Sequence, residues 1–590
     1  MNKNEFILLR ELNKKNLTTQ RDVANCLSVS LGLANKLVSG LKTEGYLEDN
    51  LCITQKGKEF LDFAKPKNAI ILAAGYGLRM VPINQNKPKA LLTVDGVPLI
   101  ERQIEQLNAV GITDITVVVG YMKETFEYLI DKYGVQLVYN KDYACKNNLY
   151  SISCVLSKIS NTYIVPCDMY CVNNPFNKNE YDTWYMVNEL IDDDSFVRVT
   201  KNNLLFYDKN SMSGNTMIGI SFISEKDSEE LKKSVKKLCE SRLNDNKFWE
   251  TALFENSDIE IAAKVVKSNE VVEINSYEQL RELDSNSAEL QNESISTICD
   301  VFSCKNEDVK NIKTLKKGMT NRSYIFTVEN KKFIMRIPGE GTDQLINRKE
   351  EADVYSAING KNICDKLYYI NPSNGMKISA FVNNSRCCDP YNVEDLKKSM
   401  KKLKEFHSLN LKVKHRFDIF EKIIFYESLW NTKSSFIDYE QTKANVFKLK
   451  KFVDSIEKKL CLTHIDAVPD NFLFSVTENG EETVQLIDWE YAGMQDPHVD
   501  IAMFCVYSMY KEKKYIDQLI DIYFEDNCSL MCRVKIYCYI AMCGLLWSNW
   551  CEYKRQLGVE FGEYSLMQYR YAKEYYKYAT EGISLIGVEK

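Results

Sequence analysis

Histidine is scarce in this chain. Only four occur in 590 residues, His407, His415, His464 and His498, and none falls with cysteines at zinc-ligand spacing, which excludes a zinc-finger type of centre. The 19 cysteines are odd in number and scattered, with no CxxC pair; Cys387 and Cys388 are merely adjacent. The opening MNKNEFILLR has no apolar stretch behind a basic one, so no secretion signal is expected. The thiols are therefore expected to stay reduced and to serve mostly as small buried apolar residues of a cytoplasmic protein. No apolar run approaches the roughly 18 residues that a bilayer span needs. An excess of either charge is also missing: 76 basic residues face 82 acidic ones, a net charge of −6. Such a balance does not support a general nucleic-acid or membrane-surface binder.

What is present is ordinary globular chemistry, 45% hydrophobic and 27% charged, which rules out a disordered chain, a collagen-like fibre and a coiled-coil rod. At roughly 150 residues per domain the length allows about four domains, fewer if some are large α/β units. Three parts are expected, at 1–65, 66–288 and 296–590, with the polar, turn-rich stretch 284–298 as the boundary before the last.

In the first part, Phe6, Leu8, Leu9 and Leu12 mark one helix face. Leu17-Thr-Thr-Gln-Arg-Asp offers a Thr cap for a second helix, and Leu33, Leu37 and Leu41 mark a third. Tyr46 to Thr54 reads as a short hairpin before a fourth helix. This order resembles a MarR-like winged helix-turn-helix, which implies DNA contact through the helix near residues 31–44. The module carries 10 basic against 8 acidic residues, thin for phosphate contact, so a docking or dimerisation role stands beside DNA binding.

The second part alternates strands and helices. Ala69 to Ala74, Ile115 to Gly120 and Thr162 to Cys167 are continuous apolar runs, with periodic segments such as Pro98 to Leu107 between them. That pattern predicts a doubly wound, mostly parallel sheet of Rossmann-like kind. Directly after the first strand comes Leu72-Ala73-Ala74-Gly75-Tyr76-Gly77-Leu78-Arg79, then Lys87-Pro88-Lys89-Ala90-Leu91. The glycines let backbone N–H groups approach a phosphate chain closely. Arg79 adds a fork of donors, and Lys89 a mobile point charge that can follow developing charge.

This stretch resembles the nucleotidyltransferases, and within them the bacterial CTP:phosphocholine cytidylyltransferases. The resemblance continues through Val119-Gly120-Tyr121, Asn147 to Ser151, Pro166-Cys167-Asp168 and Glu273-Ile274-Asn275. It implies nucleotide contacts from Leu72, Ala73, Ala74, Gly75, Gly77, Arg79, Lys89, Gly120 and Tyr121, catalysis by Arg79 and Lys89, and Mg²⁺ on Asp168. A second acidic ligand is expected where this chain has Asn275, whose amide offers an oxygen without charge. A choline headgroup is a cation without hydrogen-bond donors, so its partners are aromatics plus a carboxylate. Trp184, Phe196, Phe248 and Trp249, with Glu250, are the candidates, each of them equally readable as a core residue.

The third part opens with strands over Thr314 to Val328 and Lys332 to Pro338, then a helix carrying Glu350 and Glu351. Further on come His464-Ile-Asp466-Ala-Val-Pro-Asp470-Asn471 and Ile487-Asp488-Trp489-Glu490-Tyr491. An Asp, an Asn five residues on and an Asp after a strand form a phosphoryl-transfer set: one carboxylate deprotonates a hydroxyl, and the other two side chains hold Mg²⁺ on the phosphates. The part resembles the choline kinases and, more distantly, the aminoglycoside phosphotransferases, which implies a protein-kinase-like two-lobed fold. By that resemblance Asp466 is the base, Asn471 and Asp488 are metal ligands, and Gly318 to Ser323, with Asn321 among them, form the nucleotide loop. Arg336 takes the β3 cation position, Glu351 or Glu350 is its partner, and His464 orients the catalytic loop. Trp547 and Trp550 share a helix face and with Tyr491 match a headgroup cage; Asp500 is the one carboxylate following.

The combined expectation is a bifunctional enzyme that phosphorylates choline with ATP and joins the phosphocholine to CTP, releasing pyrophosphate. The rivals are the same two steps on ethanolamine or another amino alcohol, a sugar kinase with a sugar-nucleotide synthase, and a transcription regulator built on enzyme folds. DNA contact through residues 1–65 and a homodimer stay open.

Overall fold

Every residue of β1 (Asn68–Ala73) is buried, as an unbroken apolar run requires of a strand covered on both faces. The structure, a computed structural model, describes all residues except 16, 78–79, 84–86, 209–212, 257, 316–320, 340–344, 478, 558–560 and 589–590. It divides into two units, Met1–Gln291 and Asn292–Lys590.

In the first unit β1 is an inner strand of a seven-stranded sheet. The others are β2 (Ile115–Val119), β3 (Gln136–Tyr139), β4 (Thr162–Pro166), β5 (Trp184–Asp192), β6 (Gly214–Ile223) and β7 (Ala262–Val266). Their order is β7-β5-β6-β4-β1-β2-β3, and all but β6 run parallel. From β1 the chain crosses to β2 on one side and later to β4 on the other. The C-terminal ends of β1 and β4 therefore flank a switch point, where open α/β sheets hold their ligands.

Four helices precede this sheet: α1 (Lys3–Lys14), α2 (Gln20–Leu27), α3 (Leu31–Thr43) and α4 (Gln55–Phe63). Asn2, Thr19, Ser30 and Thr54 cap them, and one antiparallel bridge, Leu47 to Ile53, lies before α4. The helices are fastened to the sheet domain. Tyr181 stacks on Phe6 at 5.1 Å and donates to the Met1 carbonyl at 2.5 Å, while Asn179 donates to the Leu61 carbonyl at 2.6 Å.

The stretch 284–298, expected as the boundary before the last part, contains the division between the two units, and its first half is structured. Glu289 accepts from Lys87 Nζ at 2.5 Å and Thr93 Oγ1 at 3.0 Å, and Ser287 Oγ donates to the Thr93 carbonyl at 3.1 Å. The first unit thus runs to Gln291, and the second opens on the helix Glu293–Phe302, ahead of residue 296.

In the second unit, β8 (Lys310–Thr314), β9 (Asn321–Val328), β10 (Lys331–Pro338), β11 (Leu367–Ile370) and β12 (Lys377–Ala380) form an antiparallel sheet in the order β8-β9-β10-β12-β11. Helix α5 (Arg348–Ile358) follows β10. A helical lobe comes next, built around α6 (His498–Tyr507), α7 (Leu530–Gln556) and α8 (Glu563–Val588). Helix α7 is long and apolar enough by composition to cross a bilayer, yet 78% of its most apolar window is buried inside the protein. A side chain at Gly544 on α7 would meet the Gln568 carbonyl of α8 at 2.7 Å, so only glycine permits this backbone approach.

The cysteines also depart from expectation. All 19 are free thiols, but only seven are buried; eight are half-buried and four are exposed.

Candidate active sites

A cleft of about 480 Å³ opens at the switch point of the first unit. Leu72, Ala74, Gly75 and Gly77 line one side, and Pro166, Cys167 and Asp168 the other. Gly77 has φ 61°, in the left-handed region that favours glycine. A short antiparallel ladder sets the opposite wall. Val271–Glu273 pairs with Met169–Cys171, and Ile274 N–H donates to the Asp168 carbonyl at 3.0 Å. This register brings Asn275 beside Asp168 although they lie far apart in the chain. Lys89 joins them: its Nζ donates to Asp168 Oδ2 at 2.5 Å and to Asn275 Oδ1 at 2.8 Å.

Asp168 Oδ1 is buried and has no hydrogen-bond partner among the described residues. A carboxylate oxygen left bare beside an amide oxygen fits a hard divalent cation, which takes one or two protein oxygens and fills its shell with substrate phosphate and water. Among the described residues no three or more His, Cys, Asp or Glu side chains are grouped to hold a metal ion.

Several expected residues take other places. Arg79 lies outside the described residues. Ala73 is buried in the strand, and Gly120 and Tyr121 support the glycine loop from beneath. Tyr121 N–H donates to the Ala74 carbonyl at 3.1 Å, and a Cβ at Gly120 would meet that oxygen at 2.6 Å. Trp249 is fully buried and lines the cleft; its backbone N–H donates to Asn148 Oδ1 at 2.8 Å. Beside it Glu250 Oε2 is buried without a partner among the described residues, and burial pushes this carboxyl up to about 7.

Trp184, however, does not line the cleft. It packs on Tyr163 at 6.0 Å, with Lys264 Nζ 4.1 Å above its ring, because β5 aims it toward the opposite face of the sheet from Trp249. Phe196 and Phe248 are 42% and 58% exposed and lie outside the cleft. Sequence reasoning missed Tyr76 and Tyr143, which line the cleft with ring centres 5.1 Å apart. Tyr76 stands inside the glycine motif and could have been named from it; Tyr143 follows β3 and carries no motif.

The second unit holds a cleft of about 390 Å³. Asp466, Asn471 and Asp488 meet in it with Asn321, Ser323, Arg336, Glu490, Tyr491, Trp547 and Trp550. Gly318 lies outside the described residues. Asn471 Nδ2 donates to the Asp466 carbonyl at 2.8 Å and to Asp466 Oδ2 at 3.0 Å, fixing the loop. Burial raises the Asp466 carboxyl well above its ordinary range, and the charges of Asp488 and Glu490 add to this. The Asp466 and Asp488 carboxylates and the Asn471 amide, brought into one cleft, are oxygen donors of the kind a hard cation takes.

Ile465 and Asp488 have φ of 70° and 67°, so the catalytic loop is held in an uncommon shape. Asp500 does the holding. It is buried, and its carboxylate accepts the N–H groups of His464 at 2.9 Å and Ile465 at 2.7 Å, and lies 2.9 Å from His407 Nε2. It is therefore part of the loop's support and no headgroup carboxylate. His464 Nε2 lies 3.0 Å from the Ile487 carbonyl, and burial pulls its imidazole down to about 4, so it stays neutral and orients the loop.

Arg336 is spanned by Glu351, which lies across both its terminal nitrogens, with the second contact at 2.8 Å; Glu351, rather than Glu350, is the partner. Arg348 binds the same carboxylate at 3.1 Å and Glu490 at 3.3 Å. Lys377, paired with Arg336 across β10 and β12, lines the cleft and was not expected from sequence.

The aromatic wall is larger than the sequence predicted. Tyr491 meets Trp547 at 5.8 Å, Trp547 meets Trp550 at 5.9 Å, and Tyr507 meets Tyr564 at 6.0 Å. Tyr507 donates to Asp470 Oδ2 at 2.7 Å, which puts a carboxylate beside the rings. Tyr507 and Tyr564 come from separate helices, with nothing in their local sequence to single them out. Asp470 sits inside the catalytic motif and was legible there.

Comparison with known proteins agrees with this division. The profile of the MobA-like NTP transferase domain matches residues 69–182, and that of choline/ethanolamine kinase matches 312–526. The chain is 35% identical over 220 residues to the choline-phosphate cytidylyltransferase of Streptococcus pneumoniae, covering 37% of this chain and 96% of that one. It is 30% identical over 237 residues to the 2-aminoethylphosphonate cytidylyltransferase of Lancefieldella rimae, covering 38% and 93%. Among solved structures, the choline kinase LicA of Streptococcus pneumoniae is 27% identical, with 48% of this chain and 96% of that one covered and a TM-score of 0.42. The chain belongs to the cytidylyltransferase family of the pneumococcal choline-phosphate enzyme and carries a choline/ethanolamine kinase domain in the same polypeptide, a nucleotidyltransferase joined to a phosphotransferase.

Proposed function

We propose that the second unit phosphorylates choline with ATP and that the first transfers CMP from CTP to the phosphocholine, giving CDP-choline and pyrophosphate. The observation that carries the choline assignment is the wall of Tyr491, Tyr507, Trp547, Trp550 and Tyr564 in the same cleft as Asp466 and Asp488. A quaternary ammonium offers no hydrogen-bond donor, so it is bound by ring faces and a nearby negative charge, and Asp470 supplies that charge.

In the kinase cleft Asp466 takes the proton of the choline hydroxyl, and its raised affinity for protons suits it to that task. Asn321 and Ser323 bind the nucleotide at the end of β9, and the Arg336–Glu351 pair holds the sheet against α5. In the cytidylyltransferase cleft a phosphocholine oxygen attacks the α-phosphorus of CTP in line. Lys89 stabilises the charge that develops there, and the Gly75–Gly77 backbone holds the triphosphate. Mg²⁺, held by Asp168 with Asn275 in one cleft and by Asn471 with Asp488 in the other, would screen phosphate charge when bound. Trp249, which lines the cleft, is the headgroup residue we assign in the first unit.

The full chain, supplied with choline, ATP, CTP and Mg²⁺, tests this by mass spectrometry of the products. CDP-choline is expected, and Asp168→Ala should abolish it while phosphocholine still accumulates. A preference for ethanolamine over choline in the first step, or for 2-aminoethylphosphonate over phosphocholine in the second, would overturn the headgroup assignment.

A further inference from the structure

Cys528 and Cys532 stand at the start of α7, outside the kinase cleft. Cys532 lies in the first turn of this 27-residue helix, with its backbone N–H donating to the cap Ser529 Oγ at 3.2 Å. A helix N-terminus favours a thiolate over a thiol. His498, at the start of α6, places Nδ1 3.6 Å from Cys532 Sγ. Cys528 stands four residues before Cys532 and donates its Sγ–H to the Ser529 carbonyl at 3.6 Å, and both thiols are half-buried.

The charged surroundings are largely paired among themselves. Lys535 Nζ donates to Asp496 Oδ2 at 2.7 Å, His498 Nδ1 is 3.7 Å from Asp496 Oδ1, and Arg533 binds Asp521. Elsewhere burial raises the thiols of Cys171, Cys388, Cys538, Cys543 and Cys551. Cys532 alone among the shifted thiols is lowered, by neighbouring Cys528 first and, against its burial, by His498.

We propose that Cys532 is a redox modification site, oxidised by a small hydroperoxide and captured by Cys528 as a disulfide. The Cys532 thiolate attacks one peroxide oxygen, the O–O bond breaks, and the departing hydroxide takes a proton to leave as water. The Cys528 sulfur then attacks the sulfenic sulfur, the S–O bond breaks, and its oxygen leaves as water with the Cys528 proton. Two thiols are oxidised and one hydroperoxide is reduced. The site is well placed to be felt by the kinase, because α7 also carries Trp547 and Trp550, and His498 lies two residues before the loop support Asp500.

Full-length protein treated with limiting hydrogen peroxide and digested with trypsin tests this, since both thiols fall in the single peptide Tyr515–Arg533. That peptide is expected to lose two hydrogens, and Cys532→Ser to prevent it. Cys528→Ser should leave a sulfenic acid on Cys532 that a cyclic diketone traps. In the reduced protein at mildly acidic pH, iodoacetamide should label Cys532 at least about tenfold faster than the exposed Cys52, because an ordinary thiol is almost wholly protonated there. His498→Gln should narrow that ratio. Equal labelling of Cys532 and Cys52, or a Cys528→Ser protein that forms no adduct, would overturn the proposal.

Discussion

The two clefts meet the same problem, a chain of phosphates, with opposite charge inventories. In the first unit Asp168 is already answered by Lys89, and the third member of the group, Asn275, is neutral. In the second unit Asp466, Asp488 and Glu490 crowd together, and the arginines behind them are shared with Glu351. One cleft is close to self-neutral; in the other Arg348 meets Glu490, and Asp466 and Asp488 remain as an excess of acid. The difference follows from the chemistry each performs. A kinase must remove a proton from an alcohol, which needs a carboxylate kept basic by its neighbours. A nucleotidyltransferase receives a nucleophile that is already an anion, so its first need is a cation where charge develops.

The strongest break of this contrast is Asp466→Ala. Loss of a general base lowers a rate by about 10²–10⁴-fold, so phosphocholine formation should fall toward the upper end of that range. CDP-choline formation from supplied phosphocholine should be unchanged. If both activities fell together, the clefts would not be independent machines. Lys89→Ala is the mirror image and somewhat smaller. Removing one preorganised charge-stabilising group costs about 10²–10³-fold in kcat, here in the cytidylyl step, with the kinase step as internal control. Separate rate assays on the two half-reactions read both.

How legible these clefts were depended on whether a residue's task is local. The glycine loop and the spacing of Asp466, Asn471 and Asp488 were legible because phosphate contact and metal holding need neighbouring residues in fixed order. Asn275 was placed by motif, but its meeting with Lys89 depends on a ladder between distant segments. Trp184 and Trp249 looked alike in sequence, yet the strand alternation that sends Trp184 to the far face cannot be told from composition alone. Tyr507 and Tyr564 reach the kinase cleft from helices that tertiary packing brings together. The apolar helix α7 escaped notice because its polar residues, among them Lys535, Asn549 and Glu552, interrupt the run; in the fold they are buried against partners.

The aromatic wall offers a finer test. A desolvated cation–π contact is worth about 2 kcal/mol, or roughly 30-fold in affinity. Trp550→Ala should therefore raise the KM for choline by about that factor, with a smaller rise for ethanolamine, whose ammonium can donate hydrogen bonds instead. An equal loss for the two alcohols would mean that Trp550 shapes the fold and does not select the headgroup.

The smallest effect addresses the contrast itself. Asn275→Asp would give the first cleft a second carboxylate on Lys89, whose Nζ now donates to the amide oxygen at 2.8 Å. With two acids against one lysine the cleft would cease to be self-neutral. Since the number of charged ligands tunes divalent-cation affinity, the Mg²⁺ concentration for half-maximal CDP-choline synthesis should fall, by roughly tenfold on the same principle. The kinase step, assayed in the same tube, should keep its Mg²⁺ dependence. If the Mg²⁺ curve of the cytidylyl step did not move, Asn275 would be a partner of Lys89 alone, and the near-neutrality of this cleft would be a way of holding that lysine rather than a feature of its metal site.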